Sequence, residues 1–436
     1  MHRNVRDYGA VGDGVTKDTR AIQKALDAGG IAFFPPGIYC SGTIYLRSHG
    51  GLELAPGAIV LASPDPADYN ADDFCPQNRA SKMESVSGRH LVAAVEVEDV
   101  VIRGGGRIDG NDPAWFTEPD FSFGVTPPFL RRRPDRPGQM LFFCEGRDVT
   151  LCDVELSRAT YWHCFLHGCE NAILRGLRIR GNTRVLNNDG IDIDCCRRVT
   201  VSDCIIETAD DCITLRGNAG PLKTPRPCEH VTVSNCVLSS DYANAIRVGV
   251  GGGVIRRCLF NNISVLNSRT GICIVSRYLP TSRGVDIREI DFRSMQLHAK
   301  RPFNIKLDNM PCEEKPCERV VRDLHFSDIT GSAKLSSFLH GTPAGRLERL
   351  FFRNVSFHYD GNGTAPDRDE NGHWGCGSTD SAFDLLYAQD VRFSEVEIEY
   401  GEKAAGWRHD ISARHCGGIE VDRCVFSRGV EENPPQ

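Results

Sequence analysis

The most regular feature of the chain is a short pattern: apolar, any, apolar, two of any kind, apolar, any, apolar. It occurs at 149–156 (VTLCDVEL), 172–179 (AILRGLRI), 199–206 (VTVSDCII), 231–238 (VTVSNCVL), 285–292 (VDIREIDF), 350–357 (LFFRNVSF), 391–398 (VRFSEVEI) and 419–426 (IEVDRCVF). Weaker copies lie near 253–260 and 319–326. Each half alternates with the period of two that sends successive strand side chains to opposite faces. The two free positions between the halves mark a bend, so one copy reads as two short strands around a corner. Adjacent copies stand roughly 23 to 34 residues apart, the length of one solenoid coil. Helical periodicity is nearly absent. The pattern predicts an all-β solenoid, a parallel β-helix, each strand bonded to its equivalent in the next coil about 4.8 Å away.

Cys204, Cys236, Cys258 and Cys424 occupy one slot of the pattern in their copies, which predicts thiols stacked inside the coils as small packing groups. An open solenoid end needs a cap. Residues 16–30 (TKDTRAIQKALDAGG) form the one clear amphipathic helix, with Ala21, Ile22, Ala25 and Leu26 on one face and Gly29 and Gly30 to stop it. Two stretches break the rhythm, 111–138 and 358–381, and read as long rim loops of the kind that build clefts. Residues 430–436 (VEENPPQ) read as a disordered tail, and nothing resembles a linker, so 1–436 is expected to be one domain.

Composition narrows the classes. With 40% hydrophobic and 25% charged residues the chain is of ordinary globular make-up. A net charge of −7 argues against a nucleic-acid or membrane-surface binder, and no apolar run approaches the ~20 residues that span a bilayer. The 19 cysteines lack zinc-finger spacing. The opening MHRNVRDYGAVGDG carries no export pattern, so reduced thiols and a cytoplasmic location are expected, or secretion if a leader has been removed.

The acids of 187–217 (NNDGIDIDCCRRVTVSDCIIETADDCITLRG) then stand out against apolar β-formers. Aligning Ile191 and Ile193 with Ile213 and Leu215 puts Asp189 over Asp211 and Asn188 over Asp210. Three carboxylates would then meet in neighbouring coils, where like charges push at least one pKa upward and suit an acid–base pair. Carboxyls about 6.5–9.5 Å apart would leave room for the water of an inverting glycosidase. Spacing alone leaves calcium binding, or plain solvated Asp, equally open. Asp192 and Asp194 alternate with the isoleucines and are expected to face solvent, Asp194 pairing with Arg216.

Here the sequence resembles glycoside hydrolase family 28, the polygalacturonase family of right-handed parallel β-helices, from about residue 4 to 300. DYGAVGDGVTKDTRAIQKAL is similar to its opening, FFPPGIYCSGTIYL and GGGRIDGNDPAW to its next coils, and YWHCFLHGCENAILRGLRI to its tryptophan-containing strand. Asn187-Asn188-Asp189 matches the family's Asn-x-Asp, and Asp210-Asp211 its Asp-Asp, in the context DDCITLRG. The resemblance implies that Asp210 is the general acid, that Asp189 and Asp211 activate water, and that the anomeric carbon inverts.

Two family motifs are missing. Asn244 stands where the Gly-His-Gly histidine is expected, and GICIVSR puts Cys273 and Val275 where the resemblance implies the Arg-x-Lys that grips a substrate carboxylate. Arg247, read as facing outward in register with Thr214 and Cys273, is a substitute; Lys306, read as one coil beyond Cys273 in that column, and Arg277 are others. Tyr242 and Trp162 could line a sugar platform or simply pack. Asn187 and Asn244 complete the candidate substrate contacts. His163 and His167 share a strand face but lie about 13 Å apart on a strand, too far for one ion. The glycines of 248–254 read as a turn between coils rather than a phosphate loop, and no Ser-His-Asp elbow or Walker pattern occurs.

The expected function is an inverting, exo-acting glycoside hydrolase on pectin-related oligosaccharides, galacturonate- or rhamnogalacturonan-type, with no cofactor and no metal. The rivals are a β-helix polysaccharide lyase or epimerase and a non-catalytic glycan-binding β-helix.

Overall fold

The computed structural model describes residues 2–80, 86–279, 281–311 and 315–433. Its contacts divide into two units. The first comprises 1–123, 128–210 and 219–226, and the second 124–127, 211–218 and 227–436.

In the first unit each coil contributes three short strands to three parallel ladders. One runs through Ile31–Phe34, Gly50–Leu54, Glu98–Arg103, Arg147–Cys152, Glu170–Arg175 and Arg197–Ser202. A second runs through Gly37–Ser41, Ala58–Ala62, Arg107–Asp109, Glu155–Ser157, Arg178–Arg180 and Ile205–Thr208. The third holds Val92–Val95, Leu141–Cys144, Cys164–His167 and Ile191–Asp194. The expected helix is present as Thr19–Asp27, and the four apolar residues singled out above are the ones it buries.

In the second unit two of these strands fuse into one long bent strand per coil: Cys228–Ser240, Val254–Asn267, Asp286–His298, Val321–Ala333, Leu347–Tyr359 and Ala388–Tyr400. A second ladder runs through Ile213–Gly217, Asn244–Gly251, Thr270–Arg277, Arg301–Asp308, Ser337–His340, Ser381–Leu386 and His409–Arg414. Each long strand turns two corners, and at each a single residue adopts the left-handed conformation. Asn235, Asn262, Asp328 and Asn354 do so at one corner, and His230, Arg257, Asp323 and Arg349 at the other. Asn and Asp tolerate that conformation best, and Asn262 donates to Asn235 and Asn354 to Asp328, both at 2.8 Å, tying coil to coil.

The two corners have the same apolar spacing, which explains a slip in the sequence register. The copies at 253–260, 285–292 and 319–326 wrap one corner, and those at 231–238, 350–357 and 391–398 wrap the other. Cys236 therefore stacks on Ile263 and Cys258 on Ile290, not on each other. Cys204, Cys236 and Cys258 are still buried, with a reason the pattern did not supply, whereas Cys424 is only half-buried. Cys204, Cys236 and Cys258 each follow a left-handed corner residue and donate back across it to the carbonyl two residues earlier, at 3.1 to 3.2 Å.

Phenylalanines fill the second unit. Phe260, Phe292, Phe326, Phe352 and Phe393 form one stack with centroids 4.7 to 5.2 Å apart, the coil spacing itself. Phe303, fully buried, presses edge-on against Phe326, Phe352 and Phe357.

Three expectations are corrected. The stretch 111–138 is not all loop, because Phe116–Asp120 and Phe129–Arg132 pair as an antiparallel hairpin. Residues 430–433 form a parallel strand on His409–Arg414 rather than a disordered tail, and 434–436 lie outside the described residues. The glycine-rich stretch stays in its strand through Gly251 and turns only at Gly252 and Gly253, whose N–H groups donate to the Gly217 carbonyl.

Candidate active site

The acids are positioned by hydrogen bonds that the strand pattern does not reveal. In the first unit Asn188 is fully buried just before the strand Ile191–Asp194. Its Oδ1 accepts from the main-chain N–H of Ala209 at 2.9 Å and of Asp210 at 3.2 Å, while its Nδ2 donates to the Asn182 carbonyl at 2.8 Å. One amide thus fixes the turn that presents Asp210. Asn187, in the left-handed conformation, donates from Nδ2 to Oδ2 of Asp210 at 3.4 Å. Below Asp189, His163 donates from its main-chain N at 2.8 Å and from Nδ1 at 2.9 Å to the Asp189 carbonyl. Burial pushes the His163 pKa down to about 4, so the ring is neutral with its proton on the nitrogen facing Asp189.

Held this way, Asp189 and Asp210 bring carboxylate oxygens within 4.8 Å of one another. Asp189 is buried and Asp210 half-buried. Asp211 follows by one peptide bond. In the second unit its Oδ1 accepts from the main-chain N of Asn244 at 3.0 Å and from Nδ2 at 2.6 Å. Asn244, where the resemblance implies a histidine, is a clamp on Asp211.

Two chemistries suit an oxygen pair of this kind, proton transfer and binding of a hard cation. Ca²⁺ takes about 6–8 oxygen ligands. Asn187 donates its side-chain N–H to Asp210, a hydrogen bond of the kind that serves the first of these chemistries.

Asn188→Ala removes the single oxygen that accepts from both the Ala209 and Asp210 N–H groups while leaving Asp210 itself in place. The expected result is kcat lowered about 10- to 100-fold, with a stability cost of about 1–3 kcal/mol for the donors left unpaired. Steady-state kinetics and urea titration of the same preparation check both.

The other candidates are placed less uniformly. Asp192, Asp194 and Arg216 are 0%, 1% and 5% exposed, so the two aspartates do not face solvent as expected. The face that carries the two aspartates is covered in the first unit by an apolar cluster that includes Phe142, Tyr161, Trp162, Phe165 and Leu222. Trp162, stacked on Tyr161 and edge-on to Phe165, belongs to that cluster and not to a sugar platform.

In the second unit Arg247 does stand between Thr214 and Cys273 in its ladder. Lys306 does not share that column. It pairs with Val275, and Asn304 takes the place beside Cys273. The Lys306 ammonium sits over the Phe338 ring, 5.1 Å from its centroid. Burial and Arg301 lower its pKa. Arg277 is committed to the Asp308 carboxylate and donates to the Lys315 carbonyl at 2.6 Å. Tyr242 is half-buried and meets the His373 ring edge-on at 4.8 Å. His373 bonds Asp369, which also holds Lys300, so Tyr242 is braced by the loop 360–380.

Sequence reasoning missed the positioning roles of Asn188 and His163. A buried Asn one residue before a candidate acid was the available signal. It was masked because Asn188 had already been aligned with Asp210 as a mere neighbour.

The profile described as Glycosyl hydrolases family 28 matches residues 73–366, and the profile Rhamnogalacturonase A/epimerase, pectate lyase-like matches residues 2–49. A probable polygalacturonase of Vitis vinifera is 24% identical over 375 residues, covering 81% of this chain and 73% of its own. The family 28 exopolygalacturonase of Yersinia enterocolitica superposes with a TM-score of 0.69 at 18% identity, over 97% of this chain and 78% of its own. The exopolygalacturonase of Thermotoga maritima does so with a TM-score of 0.66 at 20% identity, over 82% and 87%. These likenesses identify the fold as the right-handed parallel β-helix. The profile match extends over more than half of the 436 residues, and the chain therefore belongs to glycosyl hydrolases family 28 and is a glycoside hydrolase.

Proposed function

We propose that the protein is an inverting, exo-acting hydrolase of pectin-related oligosaccharides. In this reading Asp210 protonates the leaving oxygen, and Asp189 and Asp211 activate the water. The observation that carries it is the Asp189–Asp210 pair, whose oxygens lie within 4.8 Å while Asn188 fixes the Asp210 backbone. Exo action is supported by the two structurally similar exopolygalacturonases and by a loop, 360–380, braced against Tyr242. The choice of inversion rests on the family resemblance, because the carboxylate spacing by itself does not select it.

A screen of defined galacturonate, rhamnogalacturonan and neutral oligosaccharides tests the reading. Release of single sugars or short units from one chain end of a pectic substrate is expected. Absence of any new reducing end from all of them overturns it. The Rhamnogalacturonase A/epimerase, pectate lyase-like match at residues 2–49 supports a second reading, a lyase or epimerase. An unsaturated, ultraviolet-absorbing product would favour the lyase, and loss of activity on chelation would favour either.

A further inference from the structure

Asp112 is 1% exposed and is not one of the acids that meet at the candidate active site. It opens the first rim stretch on a short turn, Asp112–Ala114, just before the hairpin. Its Oδ2 accepts from Nδ2 of Asn182 at 2.9 Å. Burial raises its pKa, and the hydrogen bond from Asn182, then the charge of Arg158, oppose that rise. A buried carboxyl is costly unless it is bonded, so an acid at this position needs a reason.

The hydrogen bonds of Asn182 supply one. Its Oδ1 accepts from the main-chain N of Arg184 at 3.0 Å, which leaves Nδ2 to face Asp112. Its carbonyl accepts from the main-chain N of Val185 at 2.9 Å and from Nδ2 of Asn188 at 2.8 Å. Asn188 in turn holds the N–H groups of Ala209 and Asp210. A continuous run of contacts therefore leads from Asp112 to the backbone of Asp210. Residues 181–190 contain no strand, so no ladder fixes this segment. The rim stretch holds it instead. Leu130 donates its N–H to the Arg184 carbonyl at 2.9 Å, and Arg184 Nε donates to the Pro128 carbonyl at 2.8 Å. Val185 is fully buried in one cluster with Trp115 and Phe116.

We propose that Asp112 and Asn182 are positioning residues for Asp210, acting through Asn188, and that the rim stretch is the scaffold of the turn that presents the acid. This rests on the hydrolase reading above and deepens it. Asp112 anchors the amide of Asn182, Asn182 aims the amide of Asn188, and Asn188 sets the Asp210 backbone. A misplacement of about 1 Å can cost about 100-fold in rate, so slack anywhere along this line reaches the reaction.

The test is steady-state kinetics on the oligosaccharide that the parent chain cleaves, with hydrogen exchange of the peptide containing Ala209 and Asp210. Asp112→Ala is expected to lower kcat about 3- to 30-fold with KM unchanged, and to speed exchange at those amides. Asp112→Asn keeps an acceptor oxygen and should recover most of the rate. In the double variant Asp112→Ala/Asn188→Ala the two losses should not multiply, because the first acts only through the second. If Asp112→Ala does not fold, Asn182→Asp carries the test. It sets two carboxyls against each other and should lose rate, and the swapped pair Asp112→Asn/Asn182→Asp should restore it. Unchanged kcat and exchange in Asp112→Ala, losses that multiply with Asn188→Ala, or a swapped pair no faster than Asn182→Asp would each overturn this inference alone. A parent chain that cleaves no oligosaccharide would overturn the hydrolase reading, and exchange at Ala209 and Asp210 would still decide whether Asp112 holds their turn.

Discussion

Asp210→Asn is expected to lower kcat about 10²- to 10⁴-fold on whichever oligosaccharide the protein cleaves, the range for losing one acid–base group. Asn is nearly isosteric with Asp, and the local scaffold does not depend on the charge. The Asp210 N–H still reaches Oδ1 of Asn188, and its carbonyl still accepts from Thr208 Oγ1 at 2.6 Å. Affinity should therefore survive, so that the loss falls on kcat and not on KM, as for a group used only in the transition state. An unchanged melting temperature would show that the fold is intact. A glycan-binding β-helix without chemistry predicts no turnover in either chain. Turnover retained in the variant removes Asp210 from the mechanism.

Phe303→Ala carries the largest expected cost to stability, about 3–5 kcal/mol, typical of deleting a buried aromatic that leaves a cavity. The ring is fully buried and meets three phenylalanines edge-on, two of which, Phe326 and Phe352, belong to the five-ring stack of the second unit. Neighbouring coils on either side are rigid ladders, so the hole has little scope to collapse. Phe303→Leu, which keeps much of the volume, should cost less than half as much. Because each coil of a solenoid contacts only its neighbours, the loss should concentrate locally. Hydrogen exchange in Arg301–Asp308 and its ladder neighbours should rise more than in the first unit. Uniform loosening of both units would contradict this packing account.

The coils were legible because burial inside a narrow solenoid enforces a strict alternation, and the eight clear copies of the pattern all fall on corners of the ladders. What the alternation cannot carry is which corner is which. The same two-residue step occurs at both, and Cys258 was placed in the wrong column for that reason. The buried face of the capping helix was readable to the residue, since its period is shared with nothing else in the chain, but the helix spans Thr19–Asp27 rather than 16–30 because Asp13–Lys17 form a strand.

At the site, Asp189, Asp210 and Asp211 could be found because acids beside apolar strand residues are costly and therefore conspicuous. Asp192 and Asp194 were misplaced by the same alternation. An outward side chain is solvated only if nothing covers that face, and here Phe142, Trp162 and Leu222 do. Lys306 was set two positions off: Asn304 stands beside Cys273, and Lys306 beside Val275. Asp112 carried no signal of its own. Its role depends on lying against Asn182, a contact that only the fold creates.

The most direct test of acid–base displacement at Asp189 and Asp210 is time-resolved proton NMR of the first sugar released from a pectic oligosaccharide. The account predicts that the initial anomer has the configuration opposite to the bond cleaved and then mutarotates. An initial product of retained configuration would mean that one of these carboxylates attacks the sugar itself, and would contradict it.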